Sequence, residues 1–483
     1  MKNFGNLLLA CMAALLGACA GESAGKCDAV VRIDADSVVN RGYIGNGVQW
    51  DPYALDYGQG RVEISDADWE KLYARLDFMR PAFIRVMTNT TSVVRNGRLD
   101  RMRGFEHLSH ILGYCQSRGV TVMFGDWGGS LMDARAGTVN RTLLDHAAAY
   151  VAWLVGEKGY DCIRYYNLVN EPNGFWSAAD GDFDLWAKAV SYFRGRLDAE
   201  GLAGKVELVG PDAAIWGPEE AWWVSRSRDE LGDRIGLYDI HTYPSKCTVN
   251  SGEYTRILEA YRREVPAGKK IVMGEIGFKF VEPADSLLQA ENLRRAAAHP
   301  NASTDDSQMF VYDPMYGTDM ADALFQTIHA GYSGCIAWML DDAMHFKEAP
   351  DKLKIWGFWN IFGDEIFGAG EERVRPWYYA WSLLCRTLRP GSDFFAADVR
   401  GAAGVKAVAV VNVSREPRRV RIECPGWERF RQATRYRYGE GLMRTEGDHT
   451  LLPDATGLRI DFRSGAEYDM PGESMILLTE QND

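Results

Sequence analysis

Positive charge is in short supply: 54 Lys and Arg stand against 67 Asp and Glu, a net charge of -13. That balance opposes electrostatic capture of a phosphate backbone or an anionic membrane and argues against nucleic acid as a partner. Long apolar runs are missing too, since beyond the first residues no segment reaches the roughly 18 apolar residues that a membrane span needs. Cysteines at metal spacing are absent. Of nine, Cys11 and Cys19 fall near the start, and Cys27, Cys115, Cys162, Cys247, Cys335, Cys385 and Cys424 are widely spaced with no CxxC pair. Neither a zinc site nor a dense disulfide framework is indicated; most are expected to be buried small hydrophobes, with one disulfide involving Cys247 left open. No GxxxxGK[ST] loop occurs, Gly45-Asn46-Gly47 lacks the third glycine of a dinucleotide fingerprint, and the run Gly331 to Cys335 fails GxSxG at its last position. Nucleotide binding and serine-hydrolase chemistry are thereby disfavoured. No internal repeat or low-complexity tract is present.

What is present suffices for a large core: 483 residues, 46% hydrophobic and 12% aromatic. Disordered, collagenous and small disulfide-scaffold classes are excluded. Residues 1–18 read as a secretory leader, with Lys2 ahead of an apolar run from Leu7 to Leu16 that is too short to span a bilayer. Leu16-Gly17-Ala18-Cys19 resembles the lipobox of bacterial lipoproteins, in which the cysteine is acylated and becomes the new N-terminus. An ordinary cleavage site at Ala18-Cys19-Ala20 is the alternative. On the first reading the protein is an exported bacterial lipoprotein, periplasmic or cell-surface, held to the membrane only by a lipid on Cys19.

From Tyr43 to Leu388 short apolar runs alternate with amphipathic stretches, the pattern of βα units and a parallel sheet. Eight strands are predicted: Ile44 to Gln49, Phe83 to Thr88, Thr121 to Trp127, Tyr165 to Asn170, Glu207 to Pro211, Leu237 to Thr242, Ile271 to Glu275 and Cys335 to Leu340. Helical patterns such as Asp68 to Met79, Phe105 to Arg118 and Phe183 to Leu197 lie between them. The expected fold is α/β, a (β/α)8 TIM barrel over residues 41–390. Beyond Pro390 strands recur at short intervals without helices, which predicts a small accessory antiparallel β-sandwich over 391–483. Residues 19–40 are expected to be a leash and an N-terminal strand, Asp28 to Ile33, of that same sandwich.

Barrel enzymes carry their reactive groups at the C-terminal ends of the strands. Glu171 follows the apolar run Tyr165 to Asn170 and precedes Pro172; Glu275 closes the run Ile271 to Gly274. Gly274 would let a ligand or neighbouring backbone come close. Strands four and seven face each other across an eight-stranded ring, so these two carboxylates can flank one glycosidic bond. As structural alternatives, the pair could be rim carboxylates held by Arg85, and His241 and Trp338 could be core residues. His107 and His110 share a helix face without a third ligand and are expected to face solvent.

Asn170-Glu171-Pro172 and Glu275 resemble clan A, the retaining (β/α)8 glycoside hydrolases, nearest in flavour to family 39 and family 5, from about Tyr43 to Leu388. The resemblance implies Glu171 as acid/base, Glu275 as nucleophile and Asn170 as the contact to the sugar 2-hydroxyl. It adds Arg85 on strand two, His241 and Tyr243 after strand six, and Trp338 on strand eight; Tyr243 would orient Glu275. The histidine that several family 5 members carry at the end of strand three is replaced by Gly125-Asp126-Trp127-Gly128. No metal or cofactor is implied. Two long connections, Phe278 to Gly317 and Asp342 to Arg375, flank the expected cleft and suggest function. Aromatic faces pack on sugar C–H faces, so Trp127, Trp176, Trp356 and Trp359 are candidate platforms or else loop anchors. The expected activity is hydrolysis of an oligo- or polysaccharide, with neutral glycans slightly favoured by the acidic surface. The alternatives are a non-catalytic glycan-binding lipoprotein and a transglycosylase on the same barrel.

Overall fold

The structure is a computed structural model that describes residues 27–53, 62–345, 352–397, 401–404, 407–427 and 429–480. The leader at 1–18 and Cys19 lie outside the described residues. Eight parallel strands, Gly45–Gln49, Phe83–Thr88, Thr121–Asp126, Ile163–Asn167, Glu207–Ile215, Ile235–Thr242, Lys270–Ile276 and Gly334–Ala337, close a barrel in chain order. They are called strands one to eight below. Strand four ends at Asn167, short of the Asn170 expected, whereas strand five runs on to Ile215.

The barrel interior is layered by the two-residue period of its strands. Phe83, Met123, Val209, Leu237, Val272 and Ile336, with Ile44 and Tyr165 packed against them, form an apolar plug with one side chain for each strand. Two residues further along, Arg85, Asn167 and Asp239 point the same way and are buried. The interior therefore changes from hydrocarbon to charge towards the C-terminal ends of the strands, which is where the candidate site lies.

Most outer helices bury one face on the strands, whereas Pro314–His329 and Trp377–Thr387 are buried almost all round. Helix Asp66–Met79 begins with a capping box between Ser65 and Asp68 and buries Trp69, Leu72, Leu76 and Met79. His107 and His110, expected to face solvent, are half-buried. His110 stacks on Trp69 at 4.4 Å and bonds the Tyr73 hydroxyl at 2.8 Å, because the first outer helix packs over their face. Among the described residues no helix is long and apolar enough to cross a membrane. The seven described cysteines, Cys247 included, are all free.

Two sheets form the accessory unit. Phe394–Ala397, Ala29–Asn40, Arg418–Glu423 and Ala466–Met470 make one; Gly401–Gly404, Ala407–Asn412, Ser474–Thr479, Phe430–Tyr438 and Ala455–Ile460 make the other. The N-terminal strand Ala29–Asn40 pairs antiparallel with Phe394–Ala397 and parallel with Arg418–Glu423. Val31, Ile33, Val408, Val420, Ile422 and Ile476 fill the space between the sheets. The unit docks on helix Pro314–His329: the Tyr438 hydroxyl donates to the Pro314 carbonyl at 2.7 Å and occupies the volume that a side chain at Gly317 would need.

Candidate active site

A slip in the sheet aims Glu275. Val272 and Gly274 share the inward phase, so strict alternation would turn Glu275 outward. The pairing of strands six and seven skips Gly274: Ile240 stands opposite Met273, and His241 opposite Glu275. This bulge brings the carboxyl into the barrel mouth. Gly274 accordingly makes room for neither a ligand nor a backbone but for a carboxylate, since a Cβ there would lie 2.1 Å from Asp239 Oδ2. Its N–H donates to Asp239 Oδ1 at 2.7 Å.

Glu171 stands in the loop after strand four, not on the strand itself, with a left-handed φ of 47°. Its backbone N–H donates to Asp212 Oδ2 at 3.2 Å. Asn173, two residues on, exchanges bonds of 2.7 and 2.9 Å with the backbone of Ala214 on strand five. Trp176 folds back over Gly174, whose Cβ would meet the ring at 2.3 Å. The indole N–H then donates to Glu171 Oε2 at 2.7 Å.

Seven of the residues expected at the site, Trp176 among them, come together in one network. Glu275 Oε2 accepts from Arg85 Nη1 at 3.0 Å, and Oε1 accepts from the Tyr243 hydroxyl. The buried Arg85 also donates to Gln49 Oε1 at 3.1 Å and to Asn170 Oδ1 at 2.8 Å. His241 Nδ1 lies 3.1 Å from Glu171 Oε1 and 3.7 Å from Glu275 Oε2. One carboxylate oxygen each of Glu171 and Glu275, with a His241 ring nitrogen, fall within 4.8 Å of one another. His241, Asp212 and Asp239 form a second cluster of this kind. Arg85 donates to Glu275 in the first cluster and to Asp212 in the second, supplying positive charge where a cation would otherwise balance these acids.

Burial pushes the Glu275 carboxyl up and the Glu171 charge adds to this, while His241 and Arg85 pull it back. Burial alone would raise Asp212 as well, but the His241 and Arg85 charges hold it below the ordinary carboxylate range. Asp239, desolvated beneath them, is pushed up to about 7. Against its own burial, His241 is held well above the usual imidazole value, by Asp212 most of all.

A cleft of about 530 Å³ opens over this network, walled by Trp127, Trp176, Trp216, Tyr243, Trp338 and His345. Trp356, expected as a platform, is only 2% exposed. It packs edge-on behind Tyr243 with ring centres 5.2 Å apart, so it buttresses Tyr243 and offers no face to the cleft. Trp359 is buried as well, with its N–H on Asp341 Oδ2 at 2.9 Å. Sequence reasoning missed Trp216, which is 57% exposed and stands 5.9 Å from Trp176 nearly at right angles. An aromatic just past a barrel strand was the available signal. It also missed Asp212, which lies one residue beyond the predicted end of strand five.

No family model matches the sequence, and no curated protein does. Solved structures match along nearly the whole chain. A GH30 endoxylanase from Clostridium papyrosolvens C71 aligns with a TM-score of 0.63 at 11% identity, covering 93% of this chain and 99% of that one. A GH39 β-xylosidase from Caulobacter crescentus gives 0.57 at 14% identity, with 93% and 99% covered. A family 51 α-L-arabinofuranosidase from Bifidobacterium longum gives 0.59 at 13%, with 94% and 99% covered. The chain has the fold of the clan A (β/α)8 glycoside hydrolases.

Proposed function

We propose that the chain is a retaining glycoside hydrolase that cleaves an oligo- or polysaccharide by double displacement. The observation that carries this reading is the closeness of two carboxyls in one cleft, with oxygens within 4.8 Å, far closer than the roughly 6.5 to 9.5 Å of inverting pairs. Glu275 accepts on both oxygens, from Arg85 and Tyr243, while Glu171 has Trp176 on one oxygen and His241 on the other; the resemblance at Asn170-Glu171-Pro172 assigns Glu275 as nucleophile and Glu171 as acid/base. Glu171 faces the cleft beside Trp176.

Glu275 attacks the anomeric carbon, the bond to the leaving oxygen breaks, and Glu171 gives that oxygen its proton. Glu171 then takes a proton from water, the hydroxide attacks the anomeric carbon, and Glu275 departs as a carboxylate. Two inversions give net retention. Asn170 Oδ1 is occupied by Arg85, which leaves its amide N–H groups for the sugar 2-hydroxyl. Because Trp176 is tied to Glu171, the leaving group lies on its side, where Trp176 and Trp216 form an aromatic corner for a sugar ring. Trp127 and Trp338, in edge-to-face contact, also line the cleft. An exported protein anchored through a lipid on Cys19 is the location that goes with this activity.

The test is turnover of a panel of plant and microbial glycans, followed by NMR of the first-formed product. A product with the anomeric configuration of the substrate is expected. An inverted product, or no turnover of any glycan by the wild type, would overturn the reading, and sugar acceptors that outcompete water would make it a transglycosylase.

A further inference from the structure

We propose that Asp212, on strand five, is the positioning residue for Glu171, fixing through one carboxylate both the backbone of the acid/base and the imidazole that faces its carboxyl. The inference rests on the retaining-glycosidase reading and adds a residue that touches no substrate.

Asp212 owes its place to a second bulge. In the pairing of strands five and six, Pro211 stands opposite Asp239 and Ala213 opposite Ile240, so Asp212 is skipped. Its φ is 58°, and Glu171 across the adjacent strand end has 47°. Aspartate visits this left-handed region more readily than most residues, whereas glutamate has no such ease. Such a conformation persists where the surroundings over-determine it, and it collects at active sites.

The surroundings here are specific. Asp212 Oδ2 accepts the Glu171 N–H at 3.2 Å and Arg85 Nη2 at 3.3 Å, while Oδ1 lies 2.9 Å from His241 Nε2. The other nitrogen of that ring is 3.1 Å from Glu171 Oε1. One imidazole thus has a structural carboxylate on one side and the acid/base on the other. Glu275 at 3.7 Å and Asp239 at 3.8 Å also face it, and the Arg85 charge opposes its protonation. Asp212 stays anionic because His241 and Arg85 face it, and its charge in turn keeps a proton on His241. The Asn173 bonds to Ala214 fasten the same loop to the same stretch of strand five. Glu171 is therefore held by strand five and not by the strand that precedes it in sequence.

A positioning role predicts selective damage. Asp212→Asn keeps the shape and removes the charge; Asn173→Ala cuts the neighbouring strap and leaves Asp212 intact. The measurement is kcat/KM for aryl glycosides of graded leaving-group acidity. General acid assistance contributes about 10²- to 10⁴-fold where the leaving group needs a proton, so Asp212→Asn should lose about 100-fold on the poorest leaving group and under about 3-fold on the best. Asn173→Ala should show the same slope at smaller amplitude. An equal loss across the series, or none, would overturn the proposal, and if Asp212→Asn does not fold, Asn173→Ala decides by the same criterion. Absence of wild-type turnover on every aryl glycoside would sink the glycosidase reading along with it; wild-type turnover with flat responses in the variants would sink this inference alone.

Discussion

Trp176 Nε1 and Glu171 Oε2 stand 2.7 Å apart, and the indole reaches that far because Gly174 has no side chain in its path. A ring at the cleft wall and an acid/base carboxyl are thereby one mechanical unit. Trp176→Phe keeps the ring and deletes the donor. Hydrogen bonds to charged groups contribute roughly 1.5–3 kcal/mol, so kcat/KM on substrates with poor leaving groups should fall by about 10-fold or more. Gly174→Ala should do the same by displacing the ring. Steady-state kinetics that left both variants at wild-type rates would remove Trp176 from the acid/base unit.

The pH profile should report Glu275. Burial raises this carboxyl and Arg85 pulls it down, so the acidic limb of kcat/KM is expected above the ordinary glutamate range. The nucleophile works as an anion. In Arg85→Met one of the two restraining charges is gone and His241 alone remains, the protonated form persists to higher pH, and the acidic limb should move up, with activity lost first on the acid side. A limb that stayed put or moved down would contradict the assignment of Glu275 as nucleophile.

Gly274→Ala places a methyl group 2.1 Å from the Asp239 carboxylate, inside a barrel closed on every side. Overpacking of this kind costs about 1–3 kcal/mol, or a fall in Tm of a few degrees for a chain of this size. Because the same glycine forms the bulge that aims Glu275, activity should drop further than stability. Calorimetry and kinetics on one preparation separate the two; a variant with unchanged Tm would mean that the strands can give way there.

For the proposed anchor, Cys19→Ala should move the protein from the membrane fraction to the soluble one, since the thiol that would carry the lipid is gone. Fractionation and immunoblotting check this, and retention of the variant in membranes would reject the lipobox.

Much of the barrel was legible because its strands are short apolar runs separated by helical patterns, and Phe83–Thr88 was predicted to the residue. Glu171 and Glu275 were legible as acids beside such runs. What escaped reading was whatever depends on a break in alternation. Asp212 and Gly274 are bulged residues, and a two-residue period cannot show a position that the partner strand skips. Trp356 and Trp216 exchanged roles for a different reason: composition marks an aromatic, but only packing decides whether its face is covered by Tyr243 or left open beside Trp176.

The N-terminal strand Ala29–Asn40 completes a sheet with Arg418–Glu423, its parallel neighbour. A chain made or exported from its N-terminus must carry this strand without that partner until nearly four hundred further residues have emerged. Contacts of such sequence separation form slowly. The barrel, whose eight strands close in chain order, can assemble while the accessory sheet waits, so the two units are expected to fold in sequence, with the strand Ala29–Asn40 among the last elements to lock.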